Sequence, residues 1–412
     1  MYTVCIFCGR PLICVKKANP ARPTLWRMST IAVSGAASAA HRIALLSAGF
    51  RPFFLLAAVW AALAVPVWLA AYAHGYTLRG SLPAVVWHAH EMVYGFGLAA
   101  VTGFLLTAIP NWTGRLPLRG APLGALVALW IAGRIALFTP APWIELAFPL
   151  ALIVVVAREV AAARNFHNLP VVAVLGLFFV GDLLVHLHAL DLAYTAALGN
   201  RVGVALLLLL IALIGGRIIP SFTRNWLAKT RPAGRMPAAH SALDWGCLFL
   251  GLCGLAAWVV APDSPVSFGL EIAGGLALGL RLARWCGLVT VREPLLFVLH
   301  AGYGWLASGL AFAGANGFFG WMPAGAPLHA LTVGAIGAMT LAVMTRASLG
   351  HTGRVLTAGA GTVAIYILVS LAAVLRVSAQ TPTMTSLAGL AWSAAFALFA
   401  ILYGPLLVGT RR

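Results

Sequence analysis

Eleven histidines stand out in a chain of which only 9% of the residues are charged. His88 and His90 directly precede Glu91, and a second pair of histidines, His186 and His188, lies further along the chain. Neutral imidazole is the commonest metal ligand in proteins, and a neighbouring carboxylate can orient a ligating ring. These residue types therefore indicate a metal site or a proton pathway.

The spacing limits how these side chains can cooperate on helices. Residues two apart point about 200° apart, so neither histidine pair can hold one ion from a single helix face. Asp182 and His186 are four residues apart and can share a face. Glu91 and Asp182 are the only acids in their apolar segments. They could orient a metal-ligating imidazole, or bind cations and relay protons in a carrier; both roles are compatible with the sequence.

The composition places this chemistry in a membrane. Hydrophobic residues make up 62% of the chain, and the mean hydropathy is +0.96. A soluble domain has about a quarter charged residues, so this chain cannot cover a soluble surface. The net charge is +18, and the basic residues that produce it are spread through short loops between apolar runs. That pattern is typical of membrane topology signals and excludes a nucleic-acid-binding protein.

Apolar runs predict an all-α, polytopic membrane bundle of twelve spans, because each crossing needs about 20 apolar residues. Short turns that contain proline separate two pairs of spans as hairpins. The predicted spans are 50–73, 86–109, 121–138, 143–160, 170–190, 200–219, 241–261, 267–283, 294–314, 326–345, 357–375 and 386–408.

The basic residues predict the orientation, since cytoplasmic loops carry most Lys and Arg. With both ends of the chain in the cytoplasm, all but four of the 27 Lys and Arg residues lie on the cytoplasmic side. Three of the four, Arg79, Arg201 and Arg376, lie in outer loops, and Arg134 lies inside the third span. A missed or extra helix would scramble this alternation.

This orientation brings five histidines to one depth near the outer face. His300 lies about two turns into the ninth span from the cytoplasmic side, and His351 lies near a cytoplasmic loop. An ionisable side chain within a membrane is costly and is a functional candidate by default. The five at the outer level are His88, His90, His186, His188 and His329.

Spans 2 and 10 contain similar short motifs, a weak repeat that we call the internal echo. Span 6 lies midway between them in the sequence and crosses the membrane in the same direction. Span 2 begins with 87–90 (Trp-His-Ala-His) and span 10 with 328–330 (Leu-His-Ala). Both exit through Thr-Gly-Arg, at 113–115 and 352–354. The echo indicates a three-times-four arrangement of helices.

Two parts of the chain differ in character. Residues 1–40 lack a long apolar core and a cleavage site, which predicts a disordered extension or a start-site artefact rather than a signal peptide. Residues 41–412 are predicted to form a single transmembrane domain.

The longer motifs resemble the NnrS family, bacterial membrane proteins of the nitric oxide response. The resemblance covers about residues 45–410. Its motifs are 49–57 (GFRPFFLLA), 87–96 (WHAHEMVYGF), 103–114 (GFLLTAIPNWTG), 216–226 (GRIIPSFTRNW), 329–337 (HALTVGAIG) and 344–354 (MTRASLGHTGR).

This resemblance implies an integral protein of the bacterial inner membrane that contains haem and copper and protects against nitrosative stress. Nitric oxide or an iron–nitrosyl species is then the expected small-molecule ligand. The family's motif histidines correspond to His88, His90, His329 and His351, and less directly to His300 and the pair His186 and His188.

Twelve helices with histidines high on spans 2 and 10 also look like the catalytic subunit of haem–copper oxidases. That likeness implies a haem held by His88 or His90 and by His329. Arg134 could then face a haem propionate or a carboxylate, or reach the outer interface. Spans 6 and 7 lack the histidines that hold copper in those oxidases, so oxygen reduction and proton pumping are not expected.

Two other functions are compatible with the residues. One is a secondary transporter of a metal ion or small anion, although a clear pair of Gly/Pro-broken half-helices is missing. The other is a membrane-embedded sensor or scaffold, which would need a separate signalling partner. Within the first interpretation, both enzymatic removal of nitric oxide and protection by binding fit the sequence.

Overall fold

The computed structural model describes residues 44–75, 80, 82–230, 234–323 and 325–409, and this part of the chain is helical without a strand. The extension predicted for residues 1–40 lies outside the described residues. Twelve helices of at least 16 residues follow one another in this part of the chain, in the order and close to the positions that the apolar runs predict.

The helices are separated by short turns, two of which contain the prolines noted in the sequence. They are α1 Phe50–His74, α2 Ala84–Thr113, α3 Ala121–Ala136, α4 Ala147–Ala162, α5 Leu169–Ala189, α6 Ala196–Thr230, α7 Ala242–Val260, α8 Pro265–Ala283, α9 Pro294–Phe319, α10 Ala326–His351, α11 Ala360–Val377 and α12 Pro382–Val408.

Ten of these helices are long and apolar enough to cross a membrane, which confirms a polytopic helical membrane protein. The exceptions are α3 and α4, with 16 residues each. At 1.5 Å per residue each is about 24 Å long, short of the ~30 Å hydrocarbon core. A 3₁₀ turn, Pro142–Leu146, fills the space between them.

The two ends of the helical domain meet at one face of the bundle. The Arg51 guanidinium, at the start of α1, donates to the carbonyls of Leu407 and Gly409 at the end of α12, over 2.8 and 2.7 Å. Both ends therefore lie on the same side of the membrane, as an even number of crossings predicts. We call the opposite face the outer face, following the orientation that the basic loops predict.

Three helices depart from α-helical geometry in the same way. Within the described residues, π-helical segments occur in α2, α6 and α10, at Glu91–Gly97, Ile211–Gly215 and Ala330–Gly337. These are the three helices that the internal echo places four apart. Short π segments are frequent at functional sites, and all three lie within the bundle.

Gly275 allows α8 and α9 to pack closely. A Cβ at this position would lie 2.5 Å from the Ala311 nitrogen and 2.6 Å from the Ala307 carbonyl oxygen, so the α9 backbone would have to move. Gly279, one turn later on α8, would place a Cβ no nearer than 3.9 Å to the Ala307 Cβ.

We therefore expect Gly275→Ala to destabilise the protein by about 1–3 kcal/mol, the usual cost of overpacking. Gly279→Ala is the matched control and should be neutral or slightly stabilising. Thermal unfolding in detergent would measure both. Equal midpoints for the two variants would contradict the close packing.

Candidate metal centre and cofactor cavity

Six ionisable side chains form a buried cluster near the outer face, which we call the acid–histidine cluster. None of them is more than 4% exposed. A membrane protein buries such groups only when they satisfy one another or bind a ligand. The members are His90 and Glu91 of α2, Arg134 of α3, Glu145 of the turn before α4, and Asp182 and His186 of α5.

Local helix geometry explains how neighbouring residues reach the same cluster. The π segment of α2 begins at Glu91, and both His90 and Glu91 are fully buried although they are adjacent. On α5, Asp182 and His186 share a face as their spacing predicts, with the His186 Nδ1 3.4 Å from the Asp182 Oδ1. The carboxylates that contact the two imidazoles therefore come from three elements: α2, the turn before α4, and α5.

Nitrogen and oxygen atoms of four residues lie close enough to surround one ion. The His90 Nε2 is 2.8 Å from the Asp182 Oδ1 and 3.3 Å from the Glu145 Oε2, and the His186 Nε2 is 3.6 Å from the same Glu145 oxygen. One ligand atom from each of these four residues lies within 4.8 Å of all the others.

Arg134 binds the carboxylates of the cluster. Its guanidinium contacts Glu91 over 2.7 Å through Nη1 and Glu145 through Nη2. The Trp60 indole donates to the same Glu91 oxygen over 2.5 Å. Of the alternatives that the sequence allowed for Arg134, the structure shows the neighbouring carboxylate.

The charges and donor types of the cluster fit a divalent metal. Three carboxylates (Glu91, Glu145 and Asp182) face one guanidinium, which leaves a net charge of −2 when both imidazoles are neutral. A buried uncompensated charge is costly, and the Asp182 Oδ2 is buried without a hydrogen-bond partner. Two imidazoles with carboxylates suit copper(II), zinc, iron(II) or manganese, rather than soft copper(I).

A second site adjoins α2 on its other side. His88 of α2, His329 of α10 and Arg376 of α11 line an open cleft, which we call the outer cavity. Trp68 and Trp392 contribute flat apolar walls.

Both cavity histidines are suited to ligate iron. The His329 Nδ1 donates to the Gly325 carbonyl over 2.7 Å, so in the neutral ring Nε2 carries the free lone pair. His88 stacks on Trp68 with ring centroids 4.3 Å apart, and its Nδ1 is buried without a hydrogen-bond partner. Imidazoles on facing helices, a flat apolar wall and an arginine for a propionate fit a haem.

The structure divides the five histidines that were predicted to share one depth. His88 and His329 line the outer cavity, whereas His90 and His186 belong to the acid–histidine cluster. Of the two candidates for the haem ligand on span 2, His88 is therefore the one beside His329. His188 joins neither group and lies near the Tyr194 ring, with centroids 6.1 Å apart.

The remaining candidates lie elsewhere. The His300 Nε2 is 2.9 Å from the Thr223 hydroxyl, and the His351 ring lies 5.4 Å from the Phe50 ring. Neither is among the four clustered ligand residues. Asp182, predicted as a supporting residue, has its carboxylate among the candidate ligand atoms, while Glu91 contacts His90 over 3.1 Å and Arg134.

Sequence reasoning missed Glu145 as a ligand candidate and Arg376 as a cavity residue. Glu145 is one of only nine acidic residues and lies in a short outer turn. The rarity of acidic residues and the position of Glu145 at the start of the predicted fourth span were the signals that the sequence offered. Arg376 was assigned to an outer loop, but it lies in the last turn of α11 and lines the outer cavity.

Removing Arg134 should strongly destabilise the protein, because two buried carboxylates would lose their partner. We expect Arg134→Gln to cost about 3–5 kcal/mol. The control is Arg115→Gln, which breaks the partly exposed pair with Glu159 and should cost about 0–1 kcal/mol. Thermal unfolding in detergent would compare them, and similar losses would argue against a charge-balanced cluster.

Comparison with known proteins agrees with the sequence motifs. No curated protein matches the chain. A family profile described as NnrS protein matches residues 44–411, nearly the whole chain and all twelve helices. This is a bacterial, metal-binding family related to nitric oxide. The chain belongs to the NnrS family.

Proposed function

We propose that this protein is a haem- and copper-containing protein of the bacterial inner membrane that protects the cell against nitric oxide and nitrosative stress. One observation carries the proposal: α2 places His88 in the outer cavity and His90 in the acid–histidine cluster, two residues apart. Two sites with imidazole ligands therefore adjoin each other near the outer face.

In the outer cavity, His88 and His329 would hold a haem from opposite helices, and Arg376 would pair with a propionate. A haem iron would supply the site that binds nitric oxide, with one of the two imidazoles giving up its coordination position. The chain's own contribution is to fix the two rings. Gly325 sets the tautomer of His329, and Trp68 holds the His88 ring by stacking.

In the acid–histidine cluster, His90, His186, Asp182 and Glu145 would hold the copper ion. With both imidazoles neutral, as metal ligands must be, the cluster has a net charge of −2, and a divalent ion would compensate it within the apolar surroundings. Arg134 contacts both Glu145 and Glu91 and holds their carboxylates in place. Because the cluster is sealed from solvent, its residues favour a tightly held ion over one exchanged with each turnover.

Protection could follow from binding alone, because nitric oxide held at a cofactor is unavailable to form iron–nitrosyl species elsewhere. The proposal does not require that the protein convert nitric oxide chemically. It does require that both sites be filled in the protein isolated from cells.

The cofactor content should depend on the cavity histidines. Protein purified in detergent should show a Soret band that shifts on reduction, and metal analysis should find iron and copper. His329→Ala and His88→Ala should each lose most of the haem, whereas His188→Ala should keep it. Full haem content in His329→Ala would contradict the assignment.

The copper should depend on a different set of residues. We expect Asp182→Asn and Glu145→Gln to lower the copper-to-protein ratio while the Soret band is retained, because neither residue lines the outer cavity. Glu159→Gln is the control, because Glu159 is a partly exposed carboxylate outside the cluster, and this variant should keep both metals. Copper that stays bound in both cluster variants would place the ion elsewhere.

The alternative, a secondary transporter of a metal ion or small anion, would use the same negative cluster for a cation. It would need access to that cluster from both faces, yet the cluster residues are at most 4% exposed. A colourless, metal-free protein that catalyses counterflow in liposomes would favour the transporter.

A further inference from the structure

An apolar space lies at the centre of the bundle, between the three helices that carry π segments. We call this space the central cavity. Its walls come from α2, α6 and α10, with Phe54 of α1 closing one side. Among its lining residues, Thr340 is the one whose side chain carries a hydroxyl, and none is ionisable.

The central cavity shares walls with a cavity on each side of it. Leu207 and Ile336 line both the central and the outer cavity. Towards the other face, Phe104 and Val343 line both the central cavity and a third space, which we call the inner cavity. The three spaces therefore adjoin one another in a row between α2, α6 and α10.

The π segments account for this space. Gly97, Ile214, Gly215 and Ile336 lie in these segments and also line the central cavity. A π turn bonds i to i+5 and so displaces the side chains from the spacing that lets α-helices interlock. Glycine at two of the positions adds no side chain to fill the gap.

The chemistry of the walls selects the occupant. Water inside a protein needs two to four polar partners, and apolar cavities stay dry but bind apolar guests such as xenon. Charged or strongly hydrogen-bonding ligands would lose hydration without compensation. A small, neutral, apolar molecule is the class that this cavity can hold.

We infer that the central cavity is a binding and transit site for a small neutral gas on its way to the outer cavity. The identification of that gas as nitric oxide rests on the proposed function, whereas the preference for an apolar guest rests on the cavity walls alone. Shared walls at Leu207 and Ile336 give the guest a short step to the space between His88 and His329.

Xenon binding to the detergent-solubilised full chain tests the cavity. Wild-type protein should give a saturable xenon-129 shift. Ala100→Trp should abolish it, because Ala100 lines the cavity and the indole would fill it. Val154→Trp is the matched control, since Val154 is on the outside of α4 at 59% exposure, and it should bind xenon as the wild type does.

Val343→Ala is a second test that does not depend on the folding of Ala100→Trp. It enlarges the cavity and should strengthen xenon binding. The inference is overturned if the wild type shows no saturable shift, or if folded Ala100→Trp and Val343→Ala both bind xenon like the wild type.

The same variants separate this inference from the proposed function. Xenon binding needs no metal, so a metal-free protein that binds xenon would refute the cofactor proposal and keep the cavity. A protein that contains haem and copper but does not bind xenon would refute the cavity inference and keep the cofactor proposal. In haem-loaded protein, Ala100→Trp should slow the association of nitric oxide without changing the final spectrum; an unchanged rate would refute transit.

Discussion

The burial of three carboxylates in the membrane is the constraint on which the outer half of the molecule depends. Glu91, Glu145 and Asp182 tolerate a low-dielectric environment only because Arg134 and the imidazoles contact them. These contacts join α2, α3, the turn before α4, and α5. Trp60 adds α1 through its bond to Glu91. The short helices α3 and α4 are thereby held beside longer neighbours.

The same constraint decides where the other histidines point. Because His90 is drawn to Asp182 and Glu145, the residue two positions earlier, His88, must face another direction. It stacks on Trp68 and lines the outer cavity opposite His329. Ordinary helix geometry therefore places two neighbouring candidate sites on one helix, at the short sequence His-Ala-His-Glu.

The sequence predicted the helices well because each span is a local property, set by about 20 apolar residues and by prolines in turns. It also placed His90 and His186 at one depth of the membrane, and Asp182 on the same helix face as His186. Glu145 was missed because its contact with His90 is tertiary, across a turn whose path no periodicity reveals. The π segments were missed because their i→i+5 bonding has no compositional signature in apolar runs.

The internal echo has two separate origins. The shared Thr-Gly-Arg exits end α2 and α10 with Gly114 and Gly353 at φ values of +68° and +76°, the left-handed geometry that glycine supplies at helix ends. This part of the echo is structural. The histidines at the opposite ends of α2 and α10 have another origin. They do not belong to the shared scaffold, because α6 has a π segment but no histidine. A common scaffold of three π-containing helices thus surrounds the axis, and only two of them, α2 and α10, carry candidate ligand histidines. The third supplies apolar wall, which leaves the central cavity free of groups that would hold water or ions.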